Sequence, residues 1–208
     1  MDYQKNIEKI PQVLRCAVTL GKFDGLHRGH QKLIQRVLEK KEQGLSAVVF
    51  AFDQSNRMIL SHEERRAKLE TMGVDLFLEC PLNERLRHML PEVFVKEILV
   101  DRLHVGFLAV GQDFRFGYER KGNAQLLQKM GQQYDFQVEV IPDETDGKRK
   151  ISSTYVREQL NEGKVEKVAE LLGEYFSTTG EVLHGRGLGH RKLMPTTNLV
   201  PPKEKLMP

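Results

Sequence analysis

The chain has 208 residues, of which 39% are hydrophobic and 29% are charged, with a formal net charge of +3. This composition is typical of a globular protein with one ordinary domain and part of another, and no apolar run approaches the ~18 residues of a membrane span. The start of the chain lacks a basic segment followed by an apolar one, so we expect no secretory signal, no membrane partner and a cytoplasmic location. No dense basic stripe with interleaved aromatic residues is present, so we expect no nucleic-acid partner.

Five short apolar runs predict β-strands, because they are rich in β-branched or aromatic residues and are bounded by turn signals. They span residues 16–20, 47–52, 74–80, 107–110 and 136–141. Cys16 and Cys80 fall far apart in these runs, so we predict buried free thiols. Since helical patterns separate the strands, the sequence predicts a doubly wound α/β fold with a mostly parallel sheet. Ligands of such sheets bind beyond the carboxyl ends of the strands, where we expect the site.

Helical patterns follow each of the first four strands. The apolar positions of residues 30–38 have the spacing of one helix face. Ser61 and Glu64 form a capping box at the start of the second helix, and Gly73 is expected to end it. Pro91 is expected to open the third helix at its first turn.

The last part of the chain predicts a change of architecture. Gly131 is expected to end the fourth helix. Two further helices are expected at residues 153–162 and 164–172, ending at Gly163 and Gly173. Residues 175–184 then predict a strand, followed by a turn rich in glycine and arginine and a proline-rich end. We therefore place a domain boundary near Gly173, which separates a domain of residues 1–173 from a segment of residues 174–208.

The loop after the first strand reads Gly-Lys-Phe-Asp-Gly-Leu-His-Arg-Gly-His. Gly21, Gly25 and Gly29 permit tight turns and a close approach of the backbone to a ligand. His27 and His30 are three residues apart at a helix start, where unpaired N–H groups are also available, and this combination suits a phosphate. His30 alone also fits a core position of the helix. Zinc is a weaker alternative, because histidine pairs on helices more often ligate it at a spacing of four.

This loop resembles a known signature. The pattern Gly-x-Phe-Asp-Gly-x-His-x-Gly-His is similar to that of the nucleotidyltransferase superfamily in the form used by prokaryotic FAD synthetases, although its His-x-Gly-His core also occurs in class I tRNA synthetases. The resemblance implies that His27 and His30 are catalytic donors to phosphate groups. It also implies that the nucleotide binds the remaining loop residues Gly21, Phe23, Asp24, Gly25 and Gly29.

Residues 111–117, directly after the fourth strand, read Gly-Gln-Asp-Phe-Arg-Phe-Gly. A plain surface loop rarely carries two phenylalanines, so Phe114 and Phe116 indicate a ligand-binding loop, with buried anchors as the alternative. The segment is similar to the Gly-x-Asp-Phe-x-Phe-Gly segment of FAD synthetases. That resemblance implies an active-site role for Asp113 and packing of flavin or adenine at the two phenylalanines.

Residues 151–157 read Ile-Ser-Ser-Thr-Tyr-Val-Arg and open a predicted helix. Read alone, the serines and threonine are ordinary helix caps. The segment also resembles the helix start with which the superfamily holds the β- and γ-phosphates of the nucleotide. The resemblance implies a catalytic role for Arg157 and nucleotide binding by Ser152, Ser153 and Thr154.

The tail carries a second set of motifs. Residues 185–189 read Gly-Arg-Gly-Leu-Gly, and residues 194–199 read Met-Pro-Thr-Thr-Asn-Leu. They resemble the start of the flavokinase β-barrel, whose Pro-Thr-Ala-Asn motif binds Mg²⁺–ATP, here through Thr196 and Asn198, with Thr197 in place of the alanine. A dinucleotide-binding fingerprint is rejected, because His190 stands at its last glycine and no helix follows.

Together the resemblances imply a member of the bacterial bifunctional riboflavin kinase/FMN adenylyltransferase family, which acts on ATP, FMN and riboflavin, with Mg²⁺ held mainly through the ATP phosphates. We expect that this chain does not phosphorylate riboflavin, because most of the kinase barrel would lie beyond residue 208. Residues 52–56 depart from the family, with Phe-Asp-Gln-Ser-Asn for Phe-Asp/Glu-Pro-His-Pro, so a role for Asp53 stays open. The alternatives are a cytidylyl- or adenylyltransferase for another phosphate ester and a non-catalytic paralogue that binds flavin nucleotides.

Overall fold

The computed structural model of the chain describes residues 1–10, 15–53, 57–183 and 197–208. Its centre is a six-stranded sheet in the order β1-β4-β3-β2-β5-β6, in which neighbouring strands run parallel. The strands are β1 (Asp2–Gln4), β2 (Cys16–Gly21), β3 (Ser46–Asp53), β4 (Leu76–Pro81), β5 (Val105–Gly111) and β6 (Gln137–Ile141). The predicted parallel α/β sheet is confirmed, and the strand order reverses between β2 and β5, where such sheets bind ligands.

The central strands are continuous apolar runs because both faces of the sheet are covered. In β2, Val18 and Leu20 point into a core that includes Phe94, whereas Ala17 points to the opposite face, where Val37 packs. Cys16 is buried and free, as is Cys80, so the predicted thiols are confirmed. Burial raises the pKa of Cys16 to about 12.

The helices fall where most of the sequence signals predict them. They are α1 (Arg28–Glu39), α2 (His62–Thr71), α3 (Glu84–His88), α4 (Pro91–Phe94), α5 (Ala124–Tyr134), α6 (Ser153–Asn161) and α7 (Val165–Leu172). A π-helical stretch, Val95–Val100, continues α4. The capping box of Ser61 and Glu64 is present, and Gly73 follows α2 with a φ of +89°. Of the helices in the described part of the chain, none combines the length and apolar character that crossing a bilayer requires.

The predicted end of the fourth helix at Gly131 is wrong. This helix, α5, continues to Tyr134 and ends where Asp135 takes the left-handed conformation, with a φ of 58°. Gly131 instead allows a close approach, because a Cβ there would lie 2.5 Å from the carbonyl oxygen of Phe136. The glycine therefore serves packing inside the helix and not its termination.

The predicted strand over residues 175–184 is mostly wrong. Of residues 175–183, which the structure describes, only Glu181–Leu183 forms a strand, β9. It pairs antiparallel with β10 (Asn198–Val200). Ahead of β9 the backbone N–H of Thr179 donates to the Glu64 side chain, and not to a neighbouring strand. A second short antiparallel pair joins β7 (Thr145–Asp146) to β8 (Arg149–Lys150). Closure of β9 and β10 into a barrel stays a prediction.

The end of the chain lies against the segment that precedes α2. Met58 exchanges two backbone hydrogen bonds with residues 204–206, at 2.6 and 2.7 Å. The buried ammonium of Lys205 pairs with Glu64 at 2.5 Å, and the Leu206 side chain packs in the same core as Ile59. The segment after the predicted boundary therefore contacts the segment before it, and the boundary near Gly173 itself stays a prediction.

Candidate active site

The loops at the carboxyl ends of β2 and β5 and the start of α6 enclose a cavity of about 460 Å³, called here the histidine cavity. It brings together most of the site residues that the sequence predicts. Those that line it are Gly21, His27, Gly29, His30, Asp113, Phe114, Ser152, Ser153, Thr154 and Arg157. Segments that are far apart in sequence thus meet where the strand order reverses.

The two histidines form a stacked pair at the start of α1. His27 stands at the N-cap position of the helix and is 6% exposed, and its ring centroid lies 3.7 Å from that of His30. Both Nδ1 atoms are buried and have no hydrogen-bond partner among the described residues. Burial lowers the pKa of His27 to about 4, with Lys150 and Lys68 acting in the same direction, and burial also lowers the pKa of His30 well below 6.5. Both imidazoles are therefore neutral at pH 7, and each has one N–H to donate.

Two helices, α1 and α6, begin with their N-termini at the histidine cavity. Gly29 and His30 come from the first turn of α1, and Ser153 and Thr154 come from the first turn of α6. Among the described contacts no side chain caps α1, whereas Ser152 accepts a hydrogen bond from the Tyr155 N–H and caps α6. Unpaired N–H groups and the positive ends of two helix dipoles make the cavity favourable for an anion.

Phe23 and Gly25 lie beneath the loop and do not line the cavity. Phe23 is fully buried, with its ring centroid 5.0 Å from that of His30. Gly25 has a φ of +82°, and a Cβ there would lie 2.9 Å from Cδ1 of Ile59. The structure thus places these two predicted nucleotide-binding residues where they shape the loop.

Asp24 also lies outside the cavity and connects the loop to α6. Its carboxylate accepts the Ile59 N–H at 2.9 Å and pairs with Arg157, while its carbonyl oxygen accepts the Ser153 hydroxyl at 2.9 Å. Burial raises the pKa of Asp24, and the Arg157 charge opposes that shift. Asp24 therefore holds two of the predicted phosphate-binding residues in place from below.

A second cavity, of about 430 Å³, adjoins the first and is called here the aromatic cavity. Its lining includes Phe52, Phe94, Phe114 and Phe116, whose neighbouring ring centroids lie 5.6 to 5.8 Å apart. The volume is in the range of small-molecule sites, and aromatic walls suit a flat ring system. Phe114 lines both cavities, so the predicted ligand loop lies between them.

Asp113 lies on the rim of both cavities and is largely exposed. Its carboxylate pairs with Lys150 at 2.6 Å, and this hydrogen bond lowers the pKa of Asp113. Lys150 also pairs with Asp143 at 2.8 Å. The predicted active-site carboxylate is thus an ionised group whose charge is shared with a lysine.

A buried ion pair beneath the site was missed by the sequence reasoning. Arg65 is 1% exposed, pairs with Glu79 on β4 and donates to the carbonyl oxygen of Lys22 at 3.1 Å. Tyr3 on β1 also donates to Glu79, and burial together with this bond raises the pKa of Tyr3. The available signal was Glu79 itself, because a lone carboxylate in the apolar run Leu-Phe-Leu-Glu-Cys needs a buried partner.

Of the tail motifs the structure describes only residues 197–199, and these line neither the histidine cavity nor the aromatic cavity. Thr196 and residues 54–56 lie outside the described residues. Asn198 begins β10, is exposed, and places its Nδ2 3.5 Å from the Leu183 carbonyl oxygen. A kinase role for Thr196 and Asn198 stays a prediction.

Known proteins that are similar to this chain point to one family. The FAD synthetase family model matches residues 9–155. A bifunctional riboflavin kinase/FMN adenylyltransferase of Buchnera aphidicola (subsp. Schizaphis graminum) is 35% identical over 93% of this chain and 65% of its own length. One of Escherichia coli K12 is 36% identical over 98% of this chain and 68% of its own length. The chain thus spans about two thirds of the length of these curated relatives.

A solved structure is also similar over the whole chain. It is a crystal structure of a macrolide-efflux protein from Streptococcus pneumoniae, with a TM-score of 0.84 and 29% identity, covering 100% of this chain and 70% of that one. The name macrolide-efflux protein describes that similar protein and says nothing about the activity of this chain. The parallel sheet, the paired histidines and the two helix starts define an α/β protein of the nucleotidyltransferase type. Within that class, the chain belongs to the FAD synthetase family.

Proposed function

We propose that this chain transfers AMP from ATP to FMN and so produces FAD and pyrophosphate. The observation that carries the proposal is the pair of adjoining cavities, one suited to phosphate groups and the other to a flat aromatic ring. FMN has both parts in one molecule, with a phosphate at one end and the isoalloxazine ring at the other. The names of the family and of its curated relatives support the same substrates.

The reaction is an in-line displacement at the α-phosphorus of ATP. An oxygen of the FMN phosphate forms the new P–O bond, the bond between the α-phosphorus and the bridging oxygen breaks, and pyrophosphate leaves with that electron pair. A proton remaining on the FMN phosphate passes to solvent. The proposed enzyme supplies no covalent nucleophile, so catalysis consists of positioning and of stabilising charge on the transferred group.

The proposed donors to that charge are the two histidines. His27 and His30 are neutral, largely desolvated and preorganised by stacking, so each donates an N–H without rearrangement as charge develops on the α-phosphate. Ser153, Thr154 and Arg157 line the same cavity and are proposed to hold the leaving pyrophosphate. Asp24, which is buried, keeps the partly exposed Arg157 in position through their ion pair.

Any magnesium ion would arrive with ATP and be held mainly through the nucleotide phosphates, because the described residues hold no group of three or more His, Cys, Asp or Glu that could bind a metal ion. Three carboxylates line the histidine cavity, and each is paired with a cation: Asp113 and Asp143 with Lys150, and Glu144 with Arg28 and Lys32. Mg²⁺ commonly binds through nucleotide phosphates and one or two carboxylates. We propose that a bound ion would neutralise phosphate charge and that Asp113 or Asp143 would be the carboxylate available to hold it. We also propose that the protein carries out this activity in the cytoplasm.

The test is to incubate the chain with FMN, ATP and Mg²⁺ and to measure FAD by chromatography. We expect FAD, and little product when CTP replaces ATP or another phosphate ester replaces FMN. His27→Ala and His30→Ala are each expected to lower the rate by roughly 10²–10³, the usual effect of removing one such donor. His88→Ala is the matched control, because His88 is exposed on α3 and lines neither cavity.

Each outcome bears on a different part of the proposal. Near-normal turnover in both histidine variants would refute the proposed donors. Product with CTP or with a different acceptor would identify another nucleotidyltransferase. Tight FMN binding without any FAD would favour a flavin-nucleotide-binding paralogue.

A further inference from the structure

The histidine cavity and the aromatic cavity share part of their walls. Among the described residues five line both: Gly21, Lys22, Asp113, Phe114 and Arg120. Two of them, Lys22 and Arg120, carry positive charge, and both are exposed. The sequence motifs assign no role to either residue, and only the fold shows that both lie where the two cavities meet.

These two cations differ from the others at the histidine cavity. Lys150 is paired with Asp113 and Asp143, and Arg157 is paired with Asp24. Lys22 and Arg120, by contrast, form no side-chain ion pair or hydrogen bond within the described part of the chain. The junction between the cavities therefore carries two cations without an ion-pair partner among the described residues, beside one carboxylate, Asp113, that pairs with Lys150, and this excess of positive charge favours a bound anion.

The backbone of Lys22 is fixed from below. Arg65, which is almost fully buried, donates to the Lys22 carbonyl oxygen at 3.1 Å and is itself held by Glu79. Lys22 directly follows Gly21, the last residue of β2, so its Cα is tied both to a central strand and to a buried ion pair. Its side chain starts from a rigid point at the edge of the two cavities, which lowers the entropy lost when it binds a ligand.

Arg120 is placed by an unusual turn. Glu119 and Arg120 have φ values of 53° and 57°, the left-handed pair that type I′ turns use and that residues with side chains rarely adopt. The Lys121 N–H donates to the Tyr118 carbonyl oxygen at 3.2 Å and closes the turn. Unfavourable backbone of this kind is retained mainly where the surrounding structure enforces it, often at functional sites.

We propose that Lys22 and Arg120 bind the phosphate group of FMN, the nucleophile of the reaction. This rests on the proposed function, from which FMN is taken as the acceptor. With the isoalloxazine ring in the aromatic cavity and the α-phosphate of ATP in the histidine cavity, the FMN phosphate has to lie where the two cavities meet. A phosphate dianion there accepts charge-assisted hydrogen bonds from both side chains, and they hold its oxygen for the in-line attack.

The experiment compares FMN with riboflavin, which has the same ring but no phosphate. Lys22→Gln and Arg120→Gln are titrated with each flavin by fluorescence, and KM values for FMN and ATP are measured in the FAD assay. We expect each variant to lose roughly tenfold to hundredfold in FMN affinity, the effect of one charge-assisted hydrogen bond, with riboflavin affinity and the KM for ATP unchanged. Lys129→Gln is the matched control, because it removes an exposed positive charge from α5, outside both cavities.

Three results would overturn the inference: equal losses for FMN and riboflavin, a raised KM for ATP instead of FMN, or no change in either variant. The inference and the proposed function fail separately. If the wild-type chain prefers FMN to riboflavin, the variants lose that preference and no FAD is formed, then the phosphate site stands and the transferase activity fails. If FAD is formed and both variants keep the wild-type FMN affinity, only the phosphate site fails.

Discussion

The buried imidazole of His27 gives the fold a measurable dependence on pH. Its pKa is lowered from 6.5 to about 4, mainly because burial removes water from the ring, and Lys150 and Lys68 add to the effect. Between these two pH values the unfolded chain holds a proton that the folded chain does not. Stability therefore rises with pH across this window, is fully present above pH 6.5 and is lost as the pH falls toward 4.

The size of this effect is set by the two pKa values. A separation of about 2.5 pH units corresponds to roughly 3 kcal/mol, at about 1.4 kcal/mol for each unit. This is the largest contribution that His27 alone can make. It is a substantial part of the 5–15 kcal/mol that stabilises a typical domain.

The assay is urea unfolding of the wild type and of His27→Gln at a series of pH values between 7.5 and 4. Groups away from the stacked pair titrate alike in both proteins, so the difference between the two curves reports His27 together with its effect on the pKa of His30. We expect the wild type to lose up to roughly 3 kcal/mol more than the variant over this range. His88→Gln is the control for the loss of an exposed imidazole. Parallel curves for the wild type and His27→Gln would refute the reasoning, since the folded protein would then take up the proton as readily as the unfolded chain.

Two further predictions concern packing. Gly25→Ala should cost about 1–3 kcal/mol more than Gly44→Ala, because both glycines have φ near +80° but only Gly25 has a neighbour, Ile59, in the way; equal losses in thermal unfolding would mean that Ile59 moves aside freely. Lys205→Met should destabilise by on the order of 3 kcal/mol, because it leaves the largely buried Glu64 carboxylate without its cation. It should also speed hydrogen exchange at the amide of Leu206, and unchanged exchange would contradict this.

Signals that are local in sequence were sufficient for most of the fold. The five longer strands are apolar runs with turn signals at both ends, and the capping box at Ser61 needs only residues three apart. Where the prediction was wrong, the structure depends on a contact with residues outside the segment that carried the signal. Gly131 is a good helix end by composition, but Asp135 takes that role, and the glycine is needed where the helix passes Phe136. Strand β1 is only three residues long and depends on its pairing with β4, so it has little signal of its own.

The candidate site shows the same division. Its motifs were visible in the sequence because each is a compact run of glycine, histidine, serine or phenylalanine. Which side chains of a run face the cavity depends on distant partners: Asp24 is turned away by Ile59 and Arg157, 35 and 133 positions along the chain. Arg65 stands in the charged run His-Glu-Glu-Arg-Arg, which is typical of a solvated helix face, and only the fold reveals its partner Glu79.

The hydrogen bonds between Met58 and residues 204–206 bear on how this protein can be recombined with others. A graft that keeps residues 1–173 and replaces residues 174–208 would leave the Met58 N–H and carbonyl without these partners and would remove Leu206 from the side of Ile59. Ile59 also donates to Asp24, which holds Arg157 at the cavity. Exchange of the tail between relatives should therefore succeed best when the segment around Met58 is exchanged with it, because backbone hydrogen bonds join the two stretches.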